Sequence, residues 1–88
     1  MKVKTPTSAD FTRQLYFVLK NAQRLRASYV GVSARNLHIA VGGYPNRDNR
    51  MPLCCAVMRR AKKPGDKILK SPRSGMGASL TILYRLPR

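Results

Sequence analysis

The sequence predicts a small single-domain protein of the α+β class, with three helices followed by a C-terminal β-hairpin. Apolar residues recur at helical spacing through the first half of the chain and alternate strictly near its end. Glycine, proline and asparagine cluster between these segments and mark turns. Residues 1–88 are expected to form one domain because no linker divides them, with residues 1–6 as a flexible tail.

The first helix is predicted from its cap and its apolar stripe. Thr7 is a suitable N-cap, and Asp10 stands three residues later, in capping-box position. Tyr16 and Phe17 broaden the apolar face, so we expect this helix to pack on two neighbours and to end near Ala27. The stripe consists of Phe11, Leu15, Val18, Leu19, Ala22 and Leu25.

A short strand and a second helix follow. Residues 29–32 are β-prone, and Ser33 is a good N-cap for a helix over Ala34–Val41. Its buried side is expected to hold Leu37, Ala40 and Val41. Glycines at 42 and 43 end this helix, since glycine readily takes the left-handed conformation that closes one.

A third helix is predicted to begin within residues 48–52 and to end at residues 64–66. Met51, rather than Asn49, is the expected cap, because a residue before proline avoids helical geometry. The buried side is expected to hold Leu53, Val57 and Ala61, with Cys54 and Met58 near its edge. The opposite side is expected to hold Cys55, Arg59, Lys62 and Lys63.

The period of the pattern changes in the last part of the chain. Leu80, Ile82, Tyr84 and Leu86 stand at alternate positions, as in a half-buried strand. Residues 68–69 begin a partner strand, and the segment 71–77 between them has the glycines and serines of a hairpin tip. The element order is therefore helix, strand, helix, helix, strand, strand.

Charge indicates the class of partner. The chain has 18 Lys and Arg against 3 Asp, a net charge of +15, which predicts binding to nucleic acid because phosphates neutralise such a surface. Its hydrophobic content of 43% excludes a disordered basic tail. Three scattered aspartates and one histidine argue against an enzyme, and no metal-ligand spacing occurs, so we expect no cofactor and no metal.

The cellular location of the protein is inferred from its N-terminal residues, its apolar runs and its cysteines. The basic start of the chain is followed by polar residues rather than by the apolar run of a secretory signal, and no apolar run is long enough to cross a bilayer. The adjacent Cys54 and Cys55 are poorly placed to form a disulfide and favour a reducing compartment. We therefore expect a protein that is not secreted and does not bind a membrane, in the cytoplasm with the nucleoid or in a nucleus.

The order of elements and the placement of charge resemble the winged helix-turn-helix superfamily, over residues 7–86. The resemblance implies a small winged helix-turn-helix fold with the C-terminal β-hairpin as the wing. It also implies that residues 49–63 form a recognition helix in the major groove of double-stranded DNA, and that residues 70–77 lie along the flanking backbone. A transcriptional regulator, able to act as a homodimer on a palindromic site, or a DNA-targeting module would fit.

The residues expected at such an interface divide by role. Arg50 lies near the start of the third helix and is suited to reading a guanine, whereas Arg59, Lys62 and Lys63 would hold phosphate. Phosphate contacts are also expected from Arg35, at the N-terminus of the second helix. The hairpin is expected to add Lys70, Arg73 and Ser74. Arg47 and Asn49 either contact the nucleic acid or serve only as turn residues.

Two other functions suit the same charge. RNA binding, as in small basic ribosome-associated proteins, is one, although the chain lacks the aromatic pattern and the Gly-x-x-Gly clamp of common RNA modules. A protein-interaction domain that meets an acidic partner is the other. His38 is expected to be a surface or packed residue, and the tyrosines to pack in the core or at its edge.

Overall fold

A computed structural model describes residues 6–42, 50–73 and 77–88. In those residues it has three helices and a three-stranded antiparallel sheet. The elements are α1 (Ser8–Arg24), β1 (Tyr29–Ser33), α2 (Ala34–Val41), α3 (Met51–Ala61), β2 (Lys67–Lys70) and β3 (Thr81–Arg85). The predicted α+β class and order of elements are therefore confirmed. The expected tail lies outside these residues except for Pro6, which is buried.

The capping box predicted for α1 is present. The Thr7 hydroxyl accepts a hydrogen bond from the Asp10 amide at 3.3 Å, and the Asp10 carboxylate accepts one from the Thr7 amide at 2.9 Å. The buried stripe of α1 is Phe11, Leu15 and Leu19, and the helix packs on both α2 and α3 as expected. The role given to Tyr16 and Phe17 was wrong, because both side chains are more than half exposed.

α1 ends at Arg24 rather than near Ala27. Arg26 adopts a left-handed φ of 61°, which stops the helix. The Arg26 amide donates to the Gln23 carbonyl at 2.9 Å, and the Ala27 amide donates to the Ala22 carbonyl at 3.1 Å. This pair of bonds is the Schellman pattern, built here without the glycine that would have marked it in the sequence.

α2 has the predicted bounds and the predicted Ser33 cap, whose hydroxyl accepts from the Asn36 amide at 3.1 Å. The start of α3 differs from the prediction, since Arg50 is the N-cap and Met51 is the first helical residue. Met51 is buried in the core, and this burial outweighs the steric preference against helical geometry before Pro52.

The strands order as β1-β3-β2, so the last strand lies in the middle of the sheet. Val32 pairs with Ile82, and Ile82 pairs with Ile68 on the other side. The alternation predicted for β3 is confirmed, because Ile82 and Tyr84 are fully buried while their neighbours are not. The hairpin of β2 and β3 therefore occupies the middle and one edge of the sheet.

The core fills the space between the three helices and one face of the sheet. Tyr84 is its largest fully buried side chain, followed by Phe11 and Leu15. Most of the residues predicted to lie in the core are buried there. The largest differences from the prediction are in α3. The core residues from α3 are Met51, Cys54, Cys55, Val57 and Met58.

Candidate nucleic-acid interface

The exposed side of α3 is set by its buried cysteines. Cys55 was expected on the exposed side, but it is fully buried and its thiol donates to the Gly77 carbonyl at 3.4 Å. Cys54 is also fully buried and donates to the Ala34 carbonyl at 3.5 Å. With both cysteines inside, the exposed stripe of α3 consists of Pro52, Ala56 and Arg60.

The two thiols form no disulfide and have low reactivity. Burial raises the pKa of Cys54 to about 12, and the neighbouring Cys55 adds to this shift. Burial also raises the pKa of Cys55, against a smaller opposite effect of the Arg59 charge. A protonated thiol is a poor nucleophile and a poor metal ligand, so these residues anchor α3 to its neighbours.

Arg60 is the residue that the sequence analysis missed. It is exposed in the last turn of α3, whereas Arg59 is half-buried at the side of the helix. Helical spacing would have identified Arg60 had the cysteines been placed inside, because Pro52, Ala56 and Arg60 share one face. Lys62 and Lys63, just after the helix, are exposed as expected.

Arg59 joins α3 to the hairpin. Its guanidinium donates to the Ser71 hydroxyl at 3.5 Å, in the segment that follows β2. Lys70 and Arg73, on either side of Ser71, are exposed. The structure therefore joins Arg59 to the segment that holds Lys70 and Arg73, while Ser74 lies outside the described residues.

The amide groups of α2 are not available for phosphate. The Ala34 amide donates to the Leu80 carbonyl at 2.8 Å, and the Arg35 amide donates to the Ala78 carbonyl at 3.1 Å. The Asn36 amide is bonded to the Ser33 cap. The expectation that this helix N-terminus holds phosphate through its amides was therefore wrong, although the Arg35 side chain is exposed.

His38 holds the N-terminal end of α3. It is fully buried, its Nε2 accepts a hydrogen bond from the Arg50 amide at 2.8 Å, and its ring meets Phe11 edge-on at 4.9 Å. Because Nε2 accepts this bond, it carries no proton. His38 is thus a packed residue, and the Arg50 side chain it positions is exposed. Arg47 and Asn49 lie outside the described residues.

An ion pair holds the C-terminal end of α3. Asp66 accepts from the Lys63 and Arg85 amides, both at 2.7 Å, and its two oxygens accept from the Arg88 guanidinium at 2.9 Å. Arg88 also donates to the Ala61 carbonyl, the last residue of the helix, at 2.6 Å. The Tyr84 hydroxyl donates to the Met58 carbonyl at 2.8 Å, one turn earlier.

Few cations are neutralised within the described residues. Asp66 is occupied by Arg88, and Asp10 pairs with Arg13 on the exposed side of α1 at 3.4 Å. Asp48 lies outside the described residues. The exposed cations along α3 and the hairpin therefore have no described carboxylate as partner, and their positive potential faces solvent.

The described residues contain no group of histidine, cysteine and carboxylate side chains that could hold a metal ion. Across the same ranges, no helix has both the length and the hydropathy that a bilayer span requires. Comparison with protein-family models, with curated proteins and with solved structures gives no match in any of the three.

Proposed function

We propose that this protein binds double-stranded DNA, with α3 in the major groove and the hairpin from β2 to β3 on the flanking backbone. The observation that carries the proposal is the joining of Arg59 to Ser71, which places an exposed helix and a basic hairpin side by side. An α-helix fits the major groove, and a loop with lysine and arginine fits the adjacent phosphates.

The topology supports the same proposal. The element order and the sheet order β1-β3-β2 are compatible with a winged helix-turn-helix, in which the third helix and the hairpin wing contact DNA. On this arrangement Arg50 reaches base edges, while Arg59, Arg60, Lys62 and Lys63 hold phosphates. The role we propose is transcriptional regulation or DNA targeting, in the cytoplasm or in a nucleus.

The experiment is a salt titration of binding to random duplex DNA, with structured RNA as competitor. Arg60→Gln should lower the slope of log Kd against log salt by about 1, because each phosphate contact contributes about 0.9. The matched control is Arg24→Gln on α1, which removes the same charge from an exposed position outside α3 and the hairpin and should leave the slope unchanged.

Other outcomes would change the proposal. Equal slopes in both variants would remove Arg60 from the interface. Preference for the RNA competitor would favour the RNA-binding alternative, and absence of binding to either polymer at low salt would favour an acidic protein partner.

A further inference from the structure

A groove between α1 and the residues after α3 overlaps the interface proposed above only at Lys63. It encloses a cavity of about 420 Å³, which is within the size range of small-ligand pockets. It is lined by Tyr16, Leu19, Lys20, Gln23, Lys63 and Arg88. Tyr16 and Arg60 also line a separate, smaller cavity of about 70 Å³ between α1 and α3.

The lining favours an anion. Lys20 and Lys63 are exposed, and no described carboxylate lines the cavity. The charge of Arg88 is compensated by Asp66, and the Gln23 side-chain oxygen accepts from the Arg88 amide at 3.1 Å, which leaves the Gln23 amino group as a donor. The lining residues thus supply two lysine side chains and one carboxamide NH2 group, donors of the kind that bind phosphate.

Tyr16 favours a nucleotide over a simple anion. Its side chain is 55% exposed, and Leu19, which is buried, forms the apolar part of the lining beside it. A basic groove that contains an exposed aromatic ring is the arrangement with which proteins hold single-stranded nucleic acid, through phosphate contacts and base stacking. A paired base in the interior of a duplex cannot stack on such a ring, because both its faces are covered by neighbouring bases.

We propose that this groove binds one unpaired nucleotide of a nucleic-acid strand, with its base on the Tyr16 ring and its phosphate between Lys20 and Lys63. This proposal depends on the proposed function above in one respect only, namely that the partner is a nucleic acid. Lys63 is close to the end of α3 and also lines the groove, so a strand end or an extruded nucleotide beside the duplex is within reach. The protein would then distinguish a duplex with an unpaired end from a continuous one.

The test compares a blunt duplex with the same duplex that carries a three-nucleotide dT overhang, by fluorescence anisotropy. The wild-type protein should prefer the overhang probe. Tyr16→Ala should remove this preference, a loss of about five-fold or more, as expected for one stacked base. Tyr16→Phe should keep it, because the ring remains, and Lys20→Gln should weaken it and reduce its salt dependence.

Phe17→Ala is the matched control, since Phe17 is the next residue of α1, is 64% exposed and does not line the groove. It should leave the preference unchanged, and all variants should keep wild-type melting temperatures. Equal losses in Tyr16→Ala and Phe17→Ala would overturn the proposal, as would the lack of any preference in the wild type. Competition by free dTMP as strong as by the overhang strand would also overturn it, in favour of a mononucleotide.

Failure of this proposal and failure of the proposed function give different results. Binding to blunt duplex without overhang preference would remove the groove and leave α3 as the interface. A second outcome is binding to the dT overhang, lost in Tyr16→Ala, with no affinity for the blunt duplex. This outcome would support nucleotide binding in the groove and overturn the placement of α3 in the major groove.

Discussion

The two ends of α3 are held in different ways. At its C-terminal end, Asp66 and Arg88 form a buried ion pair that also bonds the backbone of Lys63, Arg85 and Ala61. At its N-terminal end, Arg50 makes no side-chain capping bond within the described residues, and its amide donates to the neutral His38 ring. One end is thus fixed by charge and the other by an uncharged acceptor.

This difference matters for recognition. Phosphate contacts fix the orientation of a protein on DNA, and base contacts give it specificity. In the proposed interface the cations near the rigid C-terminal end hold phosphate, whereas Arg50 at the N-terminal end reads bases. We therefore expect damage at the C-terminal end to reduce overall stability and damage at the N-terminal end to alter specificity.

Asp66→Asn should have the largest effect. It leaves the Arg88 guanidinium, whose side chain is 10% exposed, without its counter-charge, and breaking a buried pair in this way costs about 3–5 kcal/mol. Urea unfolding measures the loss. Asp10→Asn, which weakens the exposed capping box of α1, is the control and should cost less. Equal losses would mean that the ion pair does not hold the end of α3.

His38→Leu should have the next largest effect. It removes the acceptor of the Arg50 amide in a partly buried position, which costs about 1–3 kcal/mol in urea unfolding. The variant should also relax base preference in a binding-site selection while its salt slope stays near the wild-type value. His38→Gln, which offers an oxygen acceptor, should recover part of both losses. Unchanged base preference in His38→Leu would separate this end of α3 from recognition.

Acid should weaken the C-terminal end. Burial raises the pKa of Asp66, but hydrogen bonds from the Arg85 and Lys63 amides and the Arg88 charge outweigh this, so its pKa lies below the ordinary value of 3.8. The unfolded chain therefore takes up this proton at higher pH than the folded one. The stability from Asp66 is complete above the ordinary value and is lost as pH falls through the folded value.

Urea midpoints measured from about pH 7 to about pH 2 test this dependence. The pKa of Asp10 is also lowered, first by the hydrogen bond with the Thr7 backbone, so some acid sensitivity should remain in Asp66→Asn. The variant should nevertheless show a flatter profile than the wild type. An identical profile would assign the acid sensitivity to groups other than Asp66.

Local signals in the sequence predicted much of this fold. The Thr7 and Asp10 pair marked the start of α1, Ser33 and Gly42 bounded α2, and the alternation of β3 is present as expected. Each of these signals depends on residues within a few positions of one another. The Asp66–Arg88 pair joins residues that are distant in sequence, so only the turn role of Asp66 could be inferred.

The phase of α3 was the main error in the candidate site. Two adjacent cysteines gave no information on which of them faces inward. Both thiols face inward, where Cys54 bonds to the Ala34 carbonyl and Cys55 to the Gly77 carbonyl. A helix of 11 residues with neighbours on several sides has no single apolar stripe from which to read its orientation. Arg60 was missed for this reason. Tyr16 was assigned to the apolar face of α1 because exposed aromatic residues look the same as buried ones in a periodic pattern.

The C-terminal end of α1 offers a third case, a helix end held by backbone hydrogen bonds around a strained residue. Arg26 has a φ of 61°, where a side chain costs about 1 kcal/mol and glycine is nearly free of strain. Arg26→Gly should therefore stabilise the fold slightly, by about 0.5–1 kcal/mol in urea unfolding.

Arg26→Ala separates strain from charge in this last comparison. Both variants remove one positive charge from a strongly basic chain, which itself reduces repulsion in the folded state. Only glycine also relieves the left-handed backbone, so the difference between the two variants measures this strain less the extra conformational entropy that glycine loses on folding. A glycine variant no more stable than the alanine variant would show that the left-handed backbone at Arg26 costs the folded protein no net stability.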